Sequence, residues 1–268
     1  MRQRLDPRYW QIGSLTLLLL YGVFILRFEV TLLRAALIVL AAIVTQRFFT
    51  NDIRSAIISG LSLALLLRSN HLWVLLLAAV IAIASKFVLR VKGKHVFNPT
   101  NFSIVALLAT TNDAWVSPGQ WGSVAFFGFL VICLGGLVVH RAERSDVTYA
   151  FIVFWSAVVI GRSLWLGEPM TIPLHRLENG ALLLFTFFMI SDPRTTPDSR
   201  AGRVLFAALV ALGAGYIQFR LFRTNGILWS LVIASCLTPV IDLLFRAERF
   251  TWKGSTQCEP QRSLSFSS

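Results

Sequence analysis

The chain has 268 residues, of which 56% are hydrophobic and 14% are charged, and its mean hydropathy is +0.68. Soluble domains contain about 25% charged and about 45–50% apolar residues, so this composition excludes an ordinary soluble domain and a disordered chain. The net charge of +12 is spread over the segments between apolar blocks, which is typical of loops beside a membrane and does not indicate nucleic acid as a partner.

Long apolar blocks separated by short charged segments predict a polytopic, all-α membrane protein in contact with lipid. A basic segment, residues 1–9, precedes the first block and is expected on the cytoplasmic side. The membrane domain is predicted over residues 10–250, and the polar residues 251–268 are predicted to be a disordered tail. Ten candidate transmembrane helices follow in chain order: 10–26, 30–46, 55–67, 71–85, 96–112, 114–139, 147–161, 179–191, 204–219 and 224–241.

The distribution of lysine and arginine predicts the orientation of these helices. If ten helices cross the membrane, both ends of the chain lie on one side, and the loops of that side contain eighteen basic residues against six on the other. Basic residues concentrate in cytoplasmic loops, so we expect both termini in the cytoplasm and the protein in the bacterial inner membrane. The six basic residues of the opposite loops are Arg27, Arg68, Arg162, Arg176, Arg220 and Arg223.

The two shortest blocks indicate an internal repeat. Blocks 55–67 and 179–191 have 13 residues each and are the third and the eighth of the ten. A helix of 13 residues rises only about 20 Å, against about 30 Å of hydrocarbon. They occupy the same place in two halves, about 10–112 and 114–245, and five crossings per half would invert the second half. Paired short helices in inverted halves indicate a binding site near the middle of the membrane.

The first of two polar loops predicted on the cytoplasmic side contains Phe97, Asn98, Pro99 and Asn101. Asn98 is a candidate cap for the helix that Pro99 begins, and the first turn of a helix leaves backbone N–H groups free for a ligand. A capped helix after a basic loop would explain Asn98 and Pro99 without any ligand. It would not explain the second amide, Asn101, one turn deeper in the apolar block.

The second polar loop follows the eighth block and contains Asp192, Thr195 and Thr196, with Arg194 as the nearest partner for the carboxylate. A carboxylate at the end of a half-length apolar helix is costly unless it is paired or faces a polar cavity. A simple turn is the alternative interpretation, but the density of polar groups favours a site. A planar ligand would then lie between the two loops, with amides and hydroxyls at its edge and phenylalanine rings at its faces.

Three motifs give the chain a resemblance to a known membrane family. Residues 97–100 (FNPT) resemble its FNP[AT] motif, residues 191–197 (SDPRTTP) its [ST]DPxT motif, and residues 237–242 (LTPVID) its closing LTPxID. The family is that of the D subunit of the Rnf electron-transport complex and the B subunit of the sodium-pumping NADH:quinone oxidoreductase. The resemblance covers roughly residues 7–250 and looks closest to the compact, stand-alone members that are similar to the Rnf D subunit.

The resemblance implies a ten-helix inverted-repeat fold and a role as a membrane subunit of a flavin-dependent electron-transport system, with coupling to ions. Other redox subunits and a quinone are the implied partners. The implied cofactors are a non-covalent riboflavin or FMN near the asparagine–proline motif, and an FMN esterified to a threonine of an SGAT motif. The corresponding outer loop, residues 110–122, contains no SGAT and includes Pro118, which argues against a covalent FMN.

The missing SGAT leaves a second function open, from a different class: a transporter or channel that kept the scaffold without redox chemistry. The visible spectrum of the purified protein would separate the two. The three cysteines are far apart and form no CxxC pair, so we expect no metal site.

Overall fold

The computed structural model describes residues 6–116, 136 and 145–250 of the chain. The first half contains five helices: α1 (Pro7–Phe24), α2 (Leu32–Arg47), α3 (Arg54–Leu66), α4 (Leu72–Val88) and α5 (Pro99–Thr110). Two short antiparallel pairings join the ends of these helices: β1 (Leu67–Arg68) with β4 (Trp115–Val116), and β2 (Arg90–Val91) with β3 (Lys94–His95).

The described part of the second half contains further helices, two of them irregular. In chain order they are α6 (Ser145–Leu166), α7 (Thr171–Leu177), α8 (Gly180–Leu184), α9 (Arg200–Phe219), α10 (Gly226–Ser235) and α11 (Thr238–Leu244). Helix α8 continues directly into a π-helical turn, Phe185–Met189. Helices α10 and α11 meet at an angle of 52°, where Pro239 in the first turn of α11 has no N–H to continue the helical ladder.

Helix α3 is the centre of the first half, and α1, α2 and α4 pack around it. All of its residues from 59 to 66 are buried. Gly60 allows the close approach of α2, because a Cβ atom at this position would lie 2.8 Å from the Cα atom of Val39. In the second half α9 packs against α6 and α10, and the contact between α5 and α10 joins the two halves.

Two of the described helices are long and apolar enough to cross a membrane, α6 with 22 residues and α9 with 20, and the bent pair α10–α11 passes as a third span. The shorter apolar helices are α3, α4, α5 and the segment Gly180–Met189. Helix α9 buries Phe206, Val210 and Ala214 while Leu212 and Tyr216 on its other face are exposed. Apolar side chains on the outer face are typical of helices that contact lipid, and the described fold is that of an all-helical membrane protein.

Each predicted apolar block that lies within the described residues contains a helix. The eighth block has ten helical residues, Gly180–Met189, because Ser191 and Asp192 belong to the turn that follows. The tenth block, 224–241, is interrupted by the bend between α10 and α11, and helix α7 was not predicted. Most of the sixth block, 114–139, and the whole of the tail lie outside the described residues.

Candidate functional site

The two polar loops meet at a cavity of about 290 Å³, which we name the Asn98 cavity. It lies where α1, α3 and α5 begin and where α2 and α4 end, and the turn after Met189 closes its remaining side. The Nδ2 atom of Asn98 donates to the backbone carbonyl of Met189 at 3.3 Å and to Oδ2 of Asp192 at 3.4 Å. Its Oδ1 atom accepts the N–H of Asn101 at 3.0 Å and thereby caps α5. Asn98 therefore joins the two predicted loops directly.

Four of the predicted site residues line this cavity: Asn98, Pro99, Asp192 and Thr195. The backbone N–H of Arg194 donates to Oδ1 of Asp192 at 3.0 Å. The hydroxyl of Thr195 donates to the backbone carbonyl of Asp192 at 3.3 Å, so the turn is held by its own polar groups. The carboxylate of Asp192 consequently has one oxygen bonded within its turn and the other bonded to Asn98.

The other three predicted site residues, Phe97, Asn101 and Thr196, do not line the cavity. The ring of Phe97 stacks on that of Phe102 at a centroid distance of 4.9 Å. The hydroxyl of Thr196 donates to the backbone carbonyl of Asp192 at 3.1 Å. Asn101 Nδ2 donates to the carbonyl of Leu228 on α10 at 3.0 Å, and its Oδ1 is buried without a partner among the described residues.

Lys86, which the sequence alone did not indicate as a site residue, is a buried lysine in the wall of the Asn98 cavity. Its Nζ atom donates to the backbone carbonyl of Ser55 at 2.9 Å and contacts the hydroxyl of Ser55 at 3.1 Å. Ser59 and Ser62 follow Ser55 along the same face of α3 and also line the cavity. Their i, i+4, i+7 spacing within an apolar block is the pattern that could have indicated a polar face toward a ligand.

Two hydroxyl groups of the lining have no partner in the described part of the chain. The side chains of Ser62 and Thr100 form no hydrogen bond with these residues, although both are buried. Buried polar groups are normally paired, with the protein, with ordered water or with a ligand. These two hydroxyls are therefore available to a molecule inside the cavity.

Charged groups at the start of α1 close one side of the rim. Arg8 and Arg54 each form salt bridges with both Asp6 and Asp52. Burial by itself would raise the pKa of Asp52, but hydrogen bonds from Arg54 and Arg8 lower it to about 2. Asp52 is consequently ionised at neutral pH, and the network ties the first helix to the loop between α2 and α3.

His95 also lines the Asn98 cavity. Burial lowers its pKa to about 4, and the nearby cations Arg194, Arg90 and Lys86 act in the same direction. The imidazole is therefore neutral at neutral pH, and its Nε2 accepts from Nη1 of Arg194 at 3.3 Å. The predicted partner of the Arg194 guanidinium was Asp192, whereas the structure places this guanidinium against His95.

The third motif, LTPVID, takes part in an ionic cluster with Lys94, the residue before His95. Lys94 Nζ lies 2.7 Å from Oδ2 of Asp242, the last residue of LTPVID, and 3.0 Å from Oδ1 of Asp198. The backbone N–H of Asp198 donates to Oδ1 of Asp242 at 2.9 Å. This cluster, Lys94–Asp198–Asp242, holds the β2–β3 hairpin that carries His95. Among the described residues no group of three His, Cys, Asp or Glu side chains is placed to hold a metal ion.

The chain is similar over part of its length to proteins of known family. A sequence profile described as the NQR2, RnfD, RnfE family matches residues 113–251, which include the second and third motifs. Among curated proteins, the D subunit of the ion-translocating oxidoreductase complex of Escherichia coli O9:H4 (strain HS) is 26% identical over 135 residues. The protein of the same name from Escherichia coli O1:K1 / APEC is 28% identical over 137 residues.

These alignments cover 50% of this chain and 34% of either relative, so the match spans about a third of the length of the relatives. The FNPT motif, residues 97–100, precedes the segment that the profile matches, yet the structure joins it to the second motif within that segment through Asn98 and Asp192. The profile itself covers more than half of the chain. The chain therefore belongs to the NQR2, RnfD, RnfE family.

Proposed function

We propose that the chain is an integral membrane subunit of a multi-subunit electron-transport complex and holds a non-covalent flavin, riboflavin or FMN, in the Asn98 cavity. Electrons would pass between this flavin and a quinone or a partner protein, with coupling to ion transport. The observation that carries the proposal is the meeting of the two motif loops, Asn98 with Asp192, at one cavity. The names of the relatives, subunits of an ion-translocating oxidoreductase complex, support it.

The residues of the Asn98 cavity fit an isoalloxazine ring. Such a ring needs hydrogen-bonding groups at its pyrimidine edge and apolar walls at its faces. The unpaired hydroxyls of Ser62 and Thr100 supply the first, and Ile58, Phe188 and Met189 supply the second. The volume of about 290 Å³ is at the lower end of the range for ligand pockets, about 300–1,000 Å³.

A bound flavin supplies one- and two-electron transfer, and the chain's own residues bind and surround it. The Nζ atom of Lys86 is a hydrogen-bond donor in the cavity wall, where it binds the backbone carbonyl and the hydroxyl of Ser55. Phe188 and Met189 exclude water from the apolar side. Asn98 keeps the Asp192 turn in place. The sequence contains no dinucleotide-binding fingerprint, so we infer that a partner subunit delivers the electrons.

The visible spectrum of the protein purified in mild detergent tests this function. We expect a flavin absorption band at close to one flavin per chain, and acid precipitation should release the flavin because it is not covalently bound. A colourless protein, with no flavin recovered in the supernatant and none acquired on incubation with riboflavin or FMN, would overturn the proposal. It would favour the alternative of a transporter or channel on the same scaffold.

We further propose that the fold consists of ten spans in two inverted halves. Asn98 and Asn225 each precede the last span of a half, which is α5 in the first half and the bent pair α10–α11 in the second. Five residues after each asparagine is a serine that donates to the preceding long helix: Ser103 to the carbonyl of Ala78 at 2.6 Å, and Ser230 to that of Val210 at 2.7 Å. The same residue spacing with the same contact in both halves supports a repeat.

The contact between the halves supports a two-fold relation. Asn101 and Leu228 are each the third residue after the asparagine of their half, and they contact each other through Asn101 Nδ2 and the carbonyl of Leu228. Two equivalent residues meet in this way where a two-fold axis passes between them. A second cavity, of about 430 Å³ and lined by Asn179, Gln218 and Asn225, lies at the opposite helix ends, where an inverted repeat would place the counterpart of the Asn98 cavity.

Labelling of single cysteines tests the orientation. We start from a chain in which Cys133, Cys236 and Cys258 are replaced by serine, and introduce Asn70→Cys or Lys92→Cys, at two exposed loop positions. With both termini in the cytoplasm, a membrane-impermeant maleimide added to intact cells should label Asn70→Cys and not Lys92→Cys. Permeabilised cells are the control, in which both should react. Equal labelling of the two positions in intact cells would contradict the predicted orientation, in which α4 crosses the membrane between them.

A further inference from the structure

The second cavity, of about 430 Å³, which we name the Trp155 cavity, has cationic groups in its lining and no carboxylate among the described residues. The cations are Arg176 and Arg223, and neither forms a salt bridge with a described carboxylate. Arg176 acts electrostatically on Glu168, but Glu168 lies outside the lining and forms its salt bridge with Arg162 at 2.9 Å. The lining therefore favours a ligand with negative charge.

Trp155 adds a buried donor to this lining. The residue is only 5% exposed, and its Nε1–H has no hydrogen-bond partner in the part of the chain that the structure describes. The indole is held in place by its ring stack, because the ring of Phe219 lies 6.4 Å away at an angle of 8°. Buried polar groups are normally paired with the protein, with ordered water or with a ligand. The indole N–H is thus available to an acceptor atom inside the cavity.

The start of α10 also lies at the Trp155 cavity and, unlike that of α5, has no side-chain cap. Asn225 precedes α10 with a left-handed backbone, at φ 59°, and its side chain makes no capping hydrogen bond. Asn98, which holds the equivalent place in the proposed repeat, does cap α5. Gly226 and Ile227, the first two residues of α10, belong to the lining. Because the first turn of a helix attracts anions, an uncapped turn near two arginines favours a phosphate group.

The level of the cavity in the membrane indicates where such a phosphate comes from. Helix α9 is long enough to cross a membrane and ends at Phe219, so Arg223, just beyond it, lies at the level of the lipid head groups. The lining also contains Phe222, which is 85% exposed, and the buried Leu182 and Leu228. Basic pockets between transmembrane helices bind the head groups of acidic lipids. In the proposed orientation these arginines lie on the outer side, where the bias of basic residues toward the cytoplasm does not account for them.

We propose that the Trp155 cavity binds an acidic phospholipid of the outer leaflet, with its phosphate between Arg176 and Arg223 and an ester carbonyl at Nε1 of Trp155. The apolar part of the lining then contacts an acyl chain. An inorganic phosphate would satisfy the arginines but would leave this apolar part in contact with water, which favours the lipid. The inference goes beyond the proposed electron transport and does not depend on a flavin in the Asn98 cavity.

Quenching of tryptophan fluorescence by brominated lipids tests this site. The full-length chain is reconstituted in phosphatidylcholine vesicles with increasing fractions of phosphatidylglycerol that is brominated in the middle of its acyl chains. The chain has eight tryptophans, so the signal of Trp155 is the difference between the parent chain and Trp155→Phe. We expect half-maximal quenching of this signal at a lipid fraction about fivefold lower than with brominated phosphatidylcholine, because each arginine near an anionic lipid adds to the attraction. Raising the ionic strength should reduce this preference.

The variants Arg176→Gln and Arg223→Gln should each raise the phosphatidylglycerol fraction for half-maximal quenching about threefold. The matched control is Arg220→Gln, which removes an exposed arginine from the same end of α9 but outside the lining, and it should leave that fraction unchanged. The role of the indole N–H is measured by mass spectrometry. After purification in mild detergent, Trp155→Phe should retain less phosphatidylglycerol than the parent chain.

Three outcomes would overturn the inference. Equal quenching by the two brominated lipids would show that the cavity selects no acidic lipid. Relief of the quenching by millimolar inorganic phosphate would assign the arginines to a free anion. An effect of Arg220→Gln as large as that of the two lining variants would show a general attraction by surface charge. The comparison of the two lipids with the parent chain does not depend on the folding of any variant, and no result here bears on the flavin content that tests the proposed function.

Discussion

Replacing Lys94 with methionine is expected to lower the free energy of unfolding by about 3–5 kcal/mol, because it leaves two buried carboxylates without their cation. The side chains of Lys94, Asp198 and Asp242 are only 11%, 11% and 20% exposed, so water screens the remaining repulsion poorly. The measurement is the midpoint of chemical unfolding in detergent micelles, followed by tryptophan fluorescence.

The matched control for Lys94→Met is Arg162→Met. Arg162 forms a salt bridge with Glu168 at 2.9 Å, but the two side chains are 29% and 23% exposed, and such pairs contribute about 0–1 kcal/mol. The double variant Lys94→Met with Asp242→Leu should recover part of the loss, because it removes one of the stranded carboxylates. An unfolding midpoint of Lys94→Met equal to that of the Arg162→Met control would show that the Lys94–Asp198–Asp242 cluster is not a structural support.

Asn98→Ala is expected to weaken flavin binding tenfold or more. The substitution removes the contacts with Met189 and Asp192 together with the cap of α5, and each lost partner of a buried group costs about 1–3 kcal/mol. Binding is measured by quenching of flavin fluorescence when the flavin-depleted protein in detergent is titrated against riboflavin or FMN. Asn98→Ser separates the two roles, because serine can still cap the helix but cannot reach Asp192. It should fold like the parent protein and bind flavin weakly.

The control for Asn98→Ala is the identical substitution at Asn179. Asn179 caps α8 by accepting the N–H of Ala181 at 2.8 Å, and it lies away from the Asn98 cavity. Asn179→Ala should therefore lose a cap of the same kind without losing flavin affinity. Flavin content at the parental level in a folded double variant, Asn98→Ala with Thr195→Val, would show that the site lies elsewhere.

The features that the sequence predicts well are those that depend on local properties. Uninterrupted apolar length predicted most of the helices that the structure describes, although not α7, and the proline after Asn98 predicted where α5 begins. The charge pattern of the loops predicted that Asn98 and Asp192 belong to the same side, and the hydrogen bond between them agrees with this. The helices and the start of α5 depend on residues that are close together in the sequence, and the orientation depends on the summed charge of the loops.

The features that the sequence did not reveal depend on distant partners. Lys86 was placed beyond the end of its block because a charge was taken as the boundary, and its burial depends on Ser55, 31 residues earlier. Arg194 was assigned to Asp192 as its neighbour in sequence, whereas its guanidinium contacts His95, 99 residues away. No local pattern indicates which pairs of loops come together, so these contacts required the structure.

The two ionic clusters differ in how far apart along the chain their members are. Arg8 and Asp52 are separated by 44 residues, but Lys94 and Asp242 are separated by 148. Because a chain is synthesised from its N-terminus, the first cluster can form once α1 and α2 have left the ribosome, and the second only after α11 has been made. During biogenesis the hairpin that carries His95 can therefore pair through Lys94 with Asp198 first, and with Asp242 only after the last helix has been made. A chain shortened before Asp242 would keep only the pair of Lys94 with Asp198, so the hairpin that carries His95 would lose one of its two anionic contacts.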